Sequence, residues 1–406
     1  MSCHPRVTAW PTTIQTHLPH LPKPQATVLA LWSRGMVLAR SCALTAVRAF
    51  LATWLHRKEP AGRQQWRELC YAAPAKRGTG RCALPVEACC VPLLAWVVDP
   101  WEGTPLALAL AATTWGPRFT VLALRGVYRG CAISVAWTVL RATAQHAWRR
   151  EWVRMRRQGS RAVPRSWTVL GWAARGLYAR WLLRRLTRLG WHPLLRINTG
   201  GTFRPKGHVR SVSLQSVGPT PGAAWQGPGI AFQGPHRQLP CTLLACWEAG
   251  STDPWLLLTD LPPEASTACW YGLRAWMEQG GKITQRAGWQ WHRTHMTKPD
   301  RAARLWLAGA VATLGLRRVG GAAAETIPAR TIPDVTALIP APPRMRRATR
   351  LRLVRVLRRG GHLILVALLD QAPLPRGRCV PAPWPAVMAL EEQAPRLPHS
   401  EVPLAA

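Results

Sequence analysis

Between residues 106 and 198 the chain reads as short apolar runs in a fixed order, and that order leaves few folds open. LALALAATTW (106–115), RFTVLALRGVYRG (118–130) and AISVAWTVLRA (132–142) are β-rich runs separated by Gly, Pro or polar turns, which predicts a three-strand meander. QHAWRREWVRMRRQG (145–159) then places Trp148, Trp152 and Met155 at i, i+4, i+7, the spacing of one helix face. SWTVLGWAARG (166–176) reads as a strand, LYARWLLRRLTRLG (177–190) as an amphipathic helix and HPLLRIN (192–198) as another strand. In that helix Leu177, Trp181, Leu182, Leu186 and Leu189 face inward, while Arg180, Arg184 and Arg188 line the outer side at i, i+4, i+8. Three hairpin-connected strands followed by alternating helices and strands predict a mixed sheet with helices on its faces.

That β-β-β-α-β-α-β order resembles the ribonuclease-H-like α/β fold, which hosts nucleases and strand-transfer enzymes; the likeness is one of fold alone. The flanking regions read differently. Residues 26–70 predict short helices with Arg on their outer faces, so residues 1–95 suit a small helical DNA-binding region or an ordinary helical cap. Residues 199–258 are rich in Gly, Pro, Gln and Ser and predict a β-rich insertion. Two helices are expected next, over 266–287 and 300–318, closing a domain of residues 96–320. The tail from 321 is Pro-rich and holds RMRRATRLRLVRVLRR (344–359), with eight Arg, as a basic helix or a solvated charged face.

Charge narrows the partners. The chain carries 54 Lys and Arg against 18 Asp and Glu, a net +36. Six of the 54 are Lys, which leaves 48 Arg. Such a surface attracts polyanions, nucleic acid first among them. Part of the bias is compositional, because Arg, Ala, Gly, Pro and Trp share GC-rich codons and the chain has a single Asn, Asn198. Between Glu102 and Glu248 the one acidic residue is Glu151. The 11 Cys include no C-x-x-C pair, which suits a reduced compartment, and Cys89, Cys90, Cys241 and Cys246 read as small buried hydrophobes. His292 and His295 have no nearby Cys to complete a zinc set. Residues 1–25 lack the apolar core of a signal peptide, and the apolar stretch 28–55 is broken by Arg34, Arg40 and Arg48. A cytoplasmic, DNA-associated protein with no membrane partner is expected.

The most specific stretch is WLLLTDLPPEASTACWYGLRAWMEQGGKITQRAGWQWHRTHMTKPDRAARLWLA (255–308). It resembles the C-terminal catalytic region of bacterial DDE transposases of the insertion-sequence-four family. Those proteins carry Tyr, two residues, Arg, three residues, Glu, six residues, Lys on one helix. Here the pattern falls on Tyr271, Arg274 and Glu278, with Gln285 in place of the Lys and Arg286 beside it. Helical spacing puts 271, 274 and 278 on one side, where a carboxylate can ligate a cation while Tyr and Arg hold phosphates. The plain alternative is an exposed Glu278 paired with Arg274 four residues back.

The resemblance implies metal-dependent strand cleavage and transfer at the ends of an insertion sequence, on double-stranded DNA, by a homodimer on paired ends. It implies Mg²⁺ or Mn²⁺ held by three carboxylates, since a two-metal site needs about that many. The family's first Asp stands before Ala-Thr-Thr and its second before Arg-Gly-Leu-Tyr. This chain has Ala111 and Ala174 there, so Glu278 is the one retained metal ligand of the triad. Asp99 and Asp260 are the substitutes to consider, Asp260 the better placed. Arg180, Arg184, Arg188, Lys282 and Arg286 are candidate DNA contacts, and Trp289 and Trp291 are candidates for stacking on splayed bases or for core packing. Three readings follow: a transposase impaired in catalysis, a catalytically dead relative that only binds DNA, and a basic nucleic-acid binder unrelated to the family.

Overall fold

The computed structural model describes residues 5–56, 59–76, 81–101, 105–128, 131–143, 148–177, 179–217, 220–222, 224–232, 236–247, 252–282, 288–291, 294–325, 360–361, 363–370 and 384. The basic segment 344–359 lies outside them.

The three predicted strands form as a meander: β1 (Leu106–Trp115), β2 (Phe119–Tyr128) and β3 (Cys131–Arg141). Helix α6 (Arg149–Ala162) follows, then β4 (Val169–Ala173), α7 (Arg180–Thr187) and β5 (Trp191–Arg196). The first three strands pair antiparallel, whereas β1, β4 and β5 run parallel. Reading across, the order is β3-β2-β1-β4-β5. Leu and Ala alternate in β1, so Leu106, Leu108 and Leu110 enter one core while Ala107 and Ala109 enter another across the sheet.

The insertion does not form a separate unit. Strands β6 (Thr202–Pro205), β7 (Val212–Ser213), β8 (Ala224–Ala231) and β9 (Leu239–Cys246) join through β10 (Trp255–Thr259) to the free side of β5. The result is one mixed ten-stranded sheet, β3-β2-β1-β4-β5-β10-β9-β8-β6-β7. Hydrogen bonding explains the arrangement: β5 would otherwise leave an unpaired ladder beside its apolar residues.

One face of the sheet carries α5 (Val86–Val98), α6, α7 and the long α9 (Pro299–Glu325). Close approach is allowed where a side chain is missing. A Cβ at Gly159 of α6 would stand 2.9 Å from the Trp191 ring, and one at Gly171 of β4 2.9 Å from Leu186 of α7. Helices α2 (Lys23–Ala39), α3 (Leu44–Trp54) and α4 (Glu59–Cys70) form as expected over 26–70, and a further helix, α1 (Pro5–His17), precedes them. Of the four, α2 and α4 pack against α9, and buried residues of all four, Ile14 through Cys70, belong to the same apolar cluster as the sheet's helical face. Among the described residues no single helix is long and apolar enough to cross a membrane, and α2 and α3 meet at a 100° bend.

The other face is covered by a 3-10 segment, Ala268–Leu273, and by α8 (Arg274–Lys282). The single helix expected over 266–287 is thus divided: tight turns bury Ala268, Trp270, Tyr271 and Leu273 before an α-helix begins at Arg274. The helix expected at 300–318 is the longer α9.

Candidate active site

The register of the parallel strands sets Leu110 beside Ala173, and Ala173 beside Leu195. One step further along these strands come Ala111, Ala174 and Arg196. Alternation turns all three toward the face that holds Ala107, Ala109, Leu170, Trp172 and Leu194. The two positions singled out by the resemblance are therefore neighbours, Ala111 midway along β1 and Ala174 just past the end of β4. Adjacent strands lie about 4.8 Å apart. Carboxylates at those positions could bracket a pair of cations about 4 Å apart. Ala111 and Ala174 are half-buried, so solvent reaches both positions.

Arg196 is the residue that sequence reasoning missed. In HPLLRIN the one signal is a basic residue closing an apolar run, and its placement depends on a register no local pattern reveals. It is 7% exposed, and its Nη2 donates to Asp253 Oδ2 at 3.1 Å. Its guanidinium lies 5.5 Å from the centroid of the Tyr271 ring, and that of Arg274 lies 5.8 Å from the same ring. Tyr271 is buried, with its hydroxyl unpartnered, and the Nε atoms of Arg196 and Arg274 are likewise buried without hydrogen-bond partners. A second cation lies under the same face. Arg125 of β2, two residues from Val127, is buried; burial lowers its pKa to about 10 and leaves Nε and Nη2 unpartnered.

The carboxylates do not converge here. Glu278 follows the plain alternative: its Oε1 pairs with Arg274 Nη2 at 2.9 Å on an exposed turn of α8. Trp276, two residues back, is the side chain α8 turns into the core, so Glu278 lies on the outer side of the helix. Tyr271, Arg274 and Glu278 are linked in series across the junction between the 3-10 segment and α8. Asp260 is held by His192, Nδ1 to Oδ1 at 3.1 Å. His192 is level with Leu170, four residues below Ala174, which puts Asp260 about 13 Å down the strands from the row. Asp99 caps α5 and pairs with Arg318 of α9, among the helices of the opposite face. Among the described residues no three His, Cys, Asp or Glu side chains gather as a cation would require. Two Ala and a guanidinium in the row do not fit Mg²⁺ or Mn²⁺, and Glu278 alone does not hold a metal pair.

The DNA-contact candidates fare differently. Arg180 donates from Nε to the Arg237 carbonyl at 2.6 Å and from Nη2 to the His236 carbonyl at 3.0 Å, tying α7 to the loop before β9. Arg184 is half-buried and Arg188, which caps α7, is exposed. Lys282 ends α8, and Arg286 lies outside the described residues. Trp289 and Trp291 are corrected to core residues, each 2% exposed. Trp289 Nε1 donates to Thr313 Oγ1 at 3.0 Å, and Trp291 packs edge-on to Trp115 and Trp306 at 4.2 and 5.2 Å. Rings so enclosed have no face left for a base. Cys89, Cys90 and Cys241 are buried thiols, as expected; burial pushes Cys90 and Cys241 up to about 12. Cys246 is half-buried. A scan against models of protein families and a search of curated proteins returned no match.

Proposed function

We propose that this chain is a nucleic-acid-binding relative of the insertion-sequence-four DDE transposases, with a ribonuclease-H-like core that has lost its metal-dependent strand cleavage. The observation that carries the reading is the row Ala111, Ala174, Arg196. The first two stand side by side where the resemblance puts carboxylates, and the third adds a buried cation next to them. With no carboxylate among the three, and with Arg196 beside the two Ala while it pairs with Asp253, the row disfavours divalent metal and favours a phosphate oxygen. The β3-β2-β1-β4-β5 order and a Glu-bearing helix on the face of that row support the family reading. The net charge of +36 supports the nucleic-acid partner. Tyr271, Arg196 and Arg274 then act as a phosphate cradle, each with a buried polar atom still unpartnered.

The test restores the missing acids. Ala111→Asp and Ala174→Asp are introduced together, with and without Arg196→Gln, into the full chain. Mn²⁺ binding is measured by calorimetry, and cleavage is measured on duplex DNA taken from both flanks of the coding sequence. The expected result is no Mn²⁺ binding and no cleavage by the unaltered chain, and measurable Mn²⁺ binding by the restored one. Cleavage by the unaltered chain overturns the loss of catalysis. Absence of Mn²⁺ binding in both restored forms overturns the assignment of these two positions.

A further inference from the structure

On the face of the sheet opposite Glu278, α5 and α6 enclose an open groove of about 1120 Å³. Among the described residues its lining includes Arg149, Arg150, Arg154, Arg157 and Arg161 of α6 against a single carboxylate, Glu87 of α5. All five Arg side chains are exposed. Arg150, Arg154, Arg157 and Arg161 fall at i, i+4, i+7, i+11, one stripe of the helix. Two of the five have internal partners. Arg154 is held by Glu151 at 2.6 Å and by Glu87 at 3.6 Å, and Arg149 lies 5.3 Å from the centroid of Trp181. Arg150, Arg157 and Arg161 have no ion-pair partner among the described residues. Like charges three and four residues apart repel along a helix, so the stripe weakens α6 unless something anionic lies along it.

We propose that this groove is a second nucleic-acid-binding surface, which takes the phosphate backbone of a duplex. Three observations favour that occupant. Helical rise puts Arg149 and Arg161 about 18 Å apart, the axial rise of about five base pairs. Among the described residues the lining contains no aromatic side chain, whereas sites for single strands rely on stacking platforms. The cations stand on a helix anchored from behind by Trp152 and Met155, so the array is rigid and linear rather than a mobile basic tail. The surface is separate from the row at Ala111 and does not depend on how that row is read.

The experiment uses the full chain and a fluorescein-labelled 20-base-pair duplex of random sequence, with anisotropy followed from 50 to 400 mM NaCl. Arg150→Gln, Arg157→Gln and Arg161→Gln together remove three contacts. The slope of log K against log salt should fall by about 2.7, and affinity at 150 mM should drop on the order of a hundredfold. The corresponding triple Lys variant should stay within about threefold of the unaltered chain, which separates charge from any damage to the fold. Lys23→Gln, Arg141→Gln and Arg165→Gln, three exposed cations scattered elsewhere, remove the same charge and should also cost no more than about threefold. Equal losses from the groove trio and the scattered trio would overturn the proposal, because then net charge alone binds the duplex. Displacement of the duplex by polyglutamate at equal charge concentration would overturn the assignment to a nucleic-acid backbone.

Discussion

At the scale of single residues, Glu278 and Trp291 exchange the roles their sequence contexts suggest. Glu278 sits in the segment most like a catalytic helix, yet it is an exposed acid paired at i, i+4 with Arg274. Such pairs contribute about 0.3–0.5 kcal/mol. Glu278→Gln should therefore change unfolding free energy by less than about 0.5 kcal/mol in a urea titration. A loss of several kcal/mol would show that Glu278 has a partner the exposed turn does not account for. Trp291 sits in a Trp- and Arg-rich stretch that reads equally well as a base-stacking surface. It is instead enclosed by Trp115, Trp306 and Phe119. Trp291→Ala should destabilise the chain by about 3–5 kcal/mol, the usual cost of emptying a large aromatic site. If DNA affinity fell while the urea midpoint held, Trp291 would be a contact residue after all. Both outcomes were among the readings the sequence offered, but it did not choose between them, because an aromatic beside Arg carries no mark of which way it points. Arg196 was hidden for a further reason: its neighbours Ala111 and Ala174 are 85 and 22 residues away, joined to it by strand register alone.

At the scale of elements, most of the fold could be read, because alternation and helical spacing are local signals. LALALAATTW became β1 within the expected bounds, with its Leu and Ala residues divided between two cores. The helix expected at 177–190 shortened to Arg180–Thr187, since a 3-10 turn at 175–177 precedes it and Gly190, with φ +74, follows it. What the pattern could not convey was pairing between distant strands: the insertion was expected to be β-rich, but that it extends the central sheet was not legible. The contact between β4 and α7 gives a direct test of how tightly these layers are set. Gly171 leaves room for Leu186, whose methyl carbons stand 2.9 Å from where a Cβ would be. Gly171→Val should cost about 1–3 kcal/mol by overpacking, and Leu186→Ala about 2–5 kcal/mol by opening a cavity. Combined, the two should cost less than their sum by about 1 kcal/mol or more, because each relieves the other. Additive costs in a denaturant double-mutant cycle would mean that α7 shifts away from β4 rather than bearing on Leu186.

At the scale of the whole molecule, the expected division at residue 95 meets an apolar interface with no seam. α2 and α4 pack on α9, which follows them in sequence by more than two hundred residues. Met36 of α2 reaches α9 at Gly309, its methyl 3.5 Å from where a Cβ would stand. Backbone and charged groups cross the same boundary: the Cys42 amide donates to the Trp289 carbonyl at 2.7 Å, and Arg304 donates to the carbonyls of Cys70 and Leu84 at 3.0 and 3.3 Å. Removing the N-terminal helices would strand the Arg304 donors and the Trp289 carbonyl and expose Ala312, Val319 and their neighbours to water, where the lost apolar burial is not replaced. A fragment of residues 96–320 should consequently lack the sharp near-ultraviolet circular dichroism of the full chain, bind a hydrophobic dye, and be digested by protease throughout α9. The full chain under the same conditions should resist cleavage from α2 to α9. A fragment that kept a native near-ultraviolet spectrum and protease resistance would show that the sheet and α9 fold without their helical layer, and that the N-terminal helices are a separable module resting on a finished core.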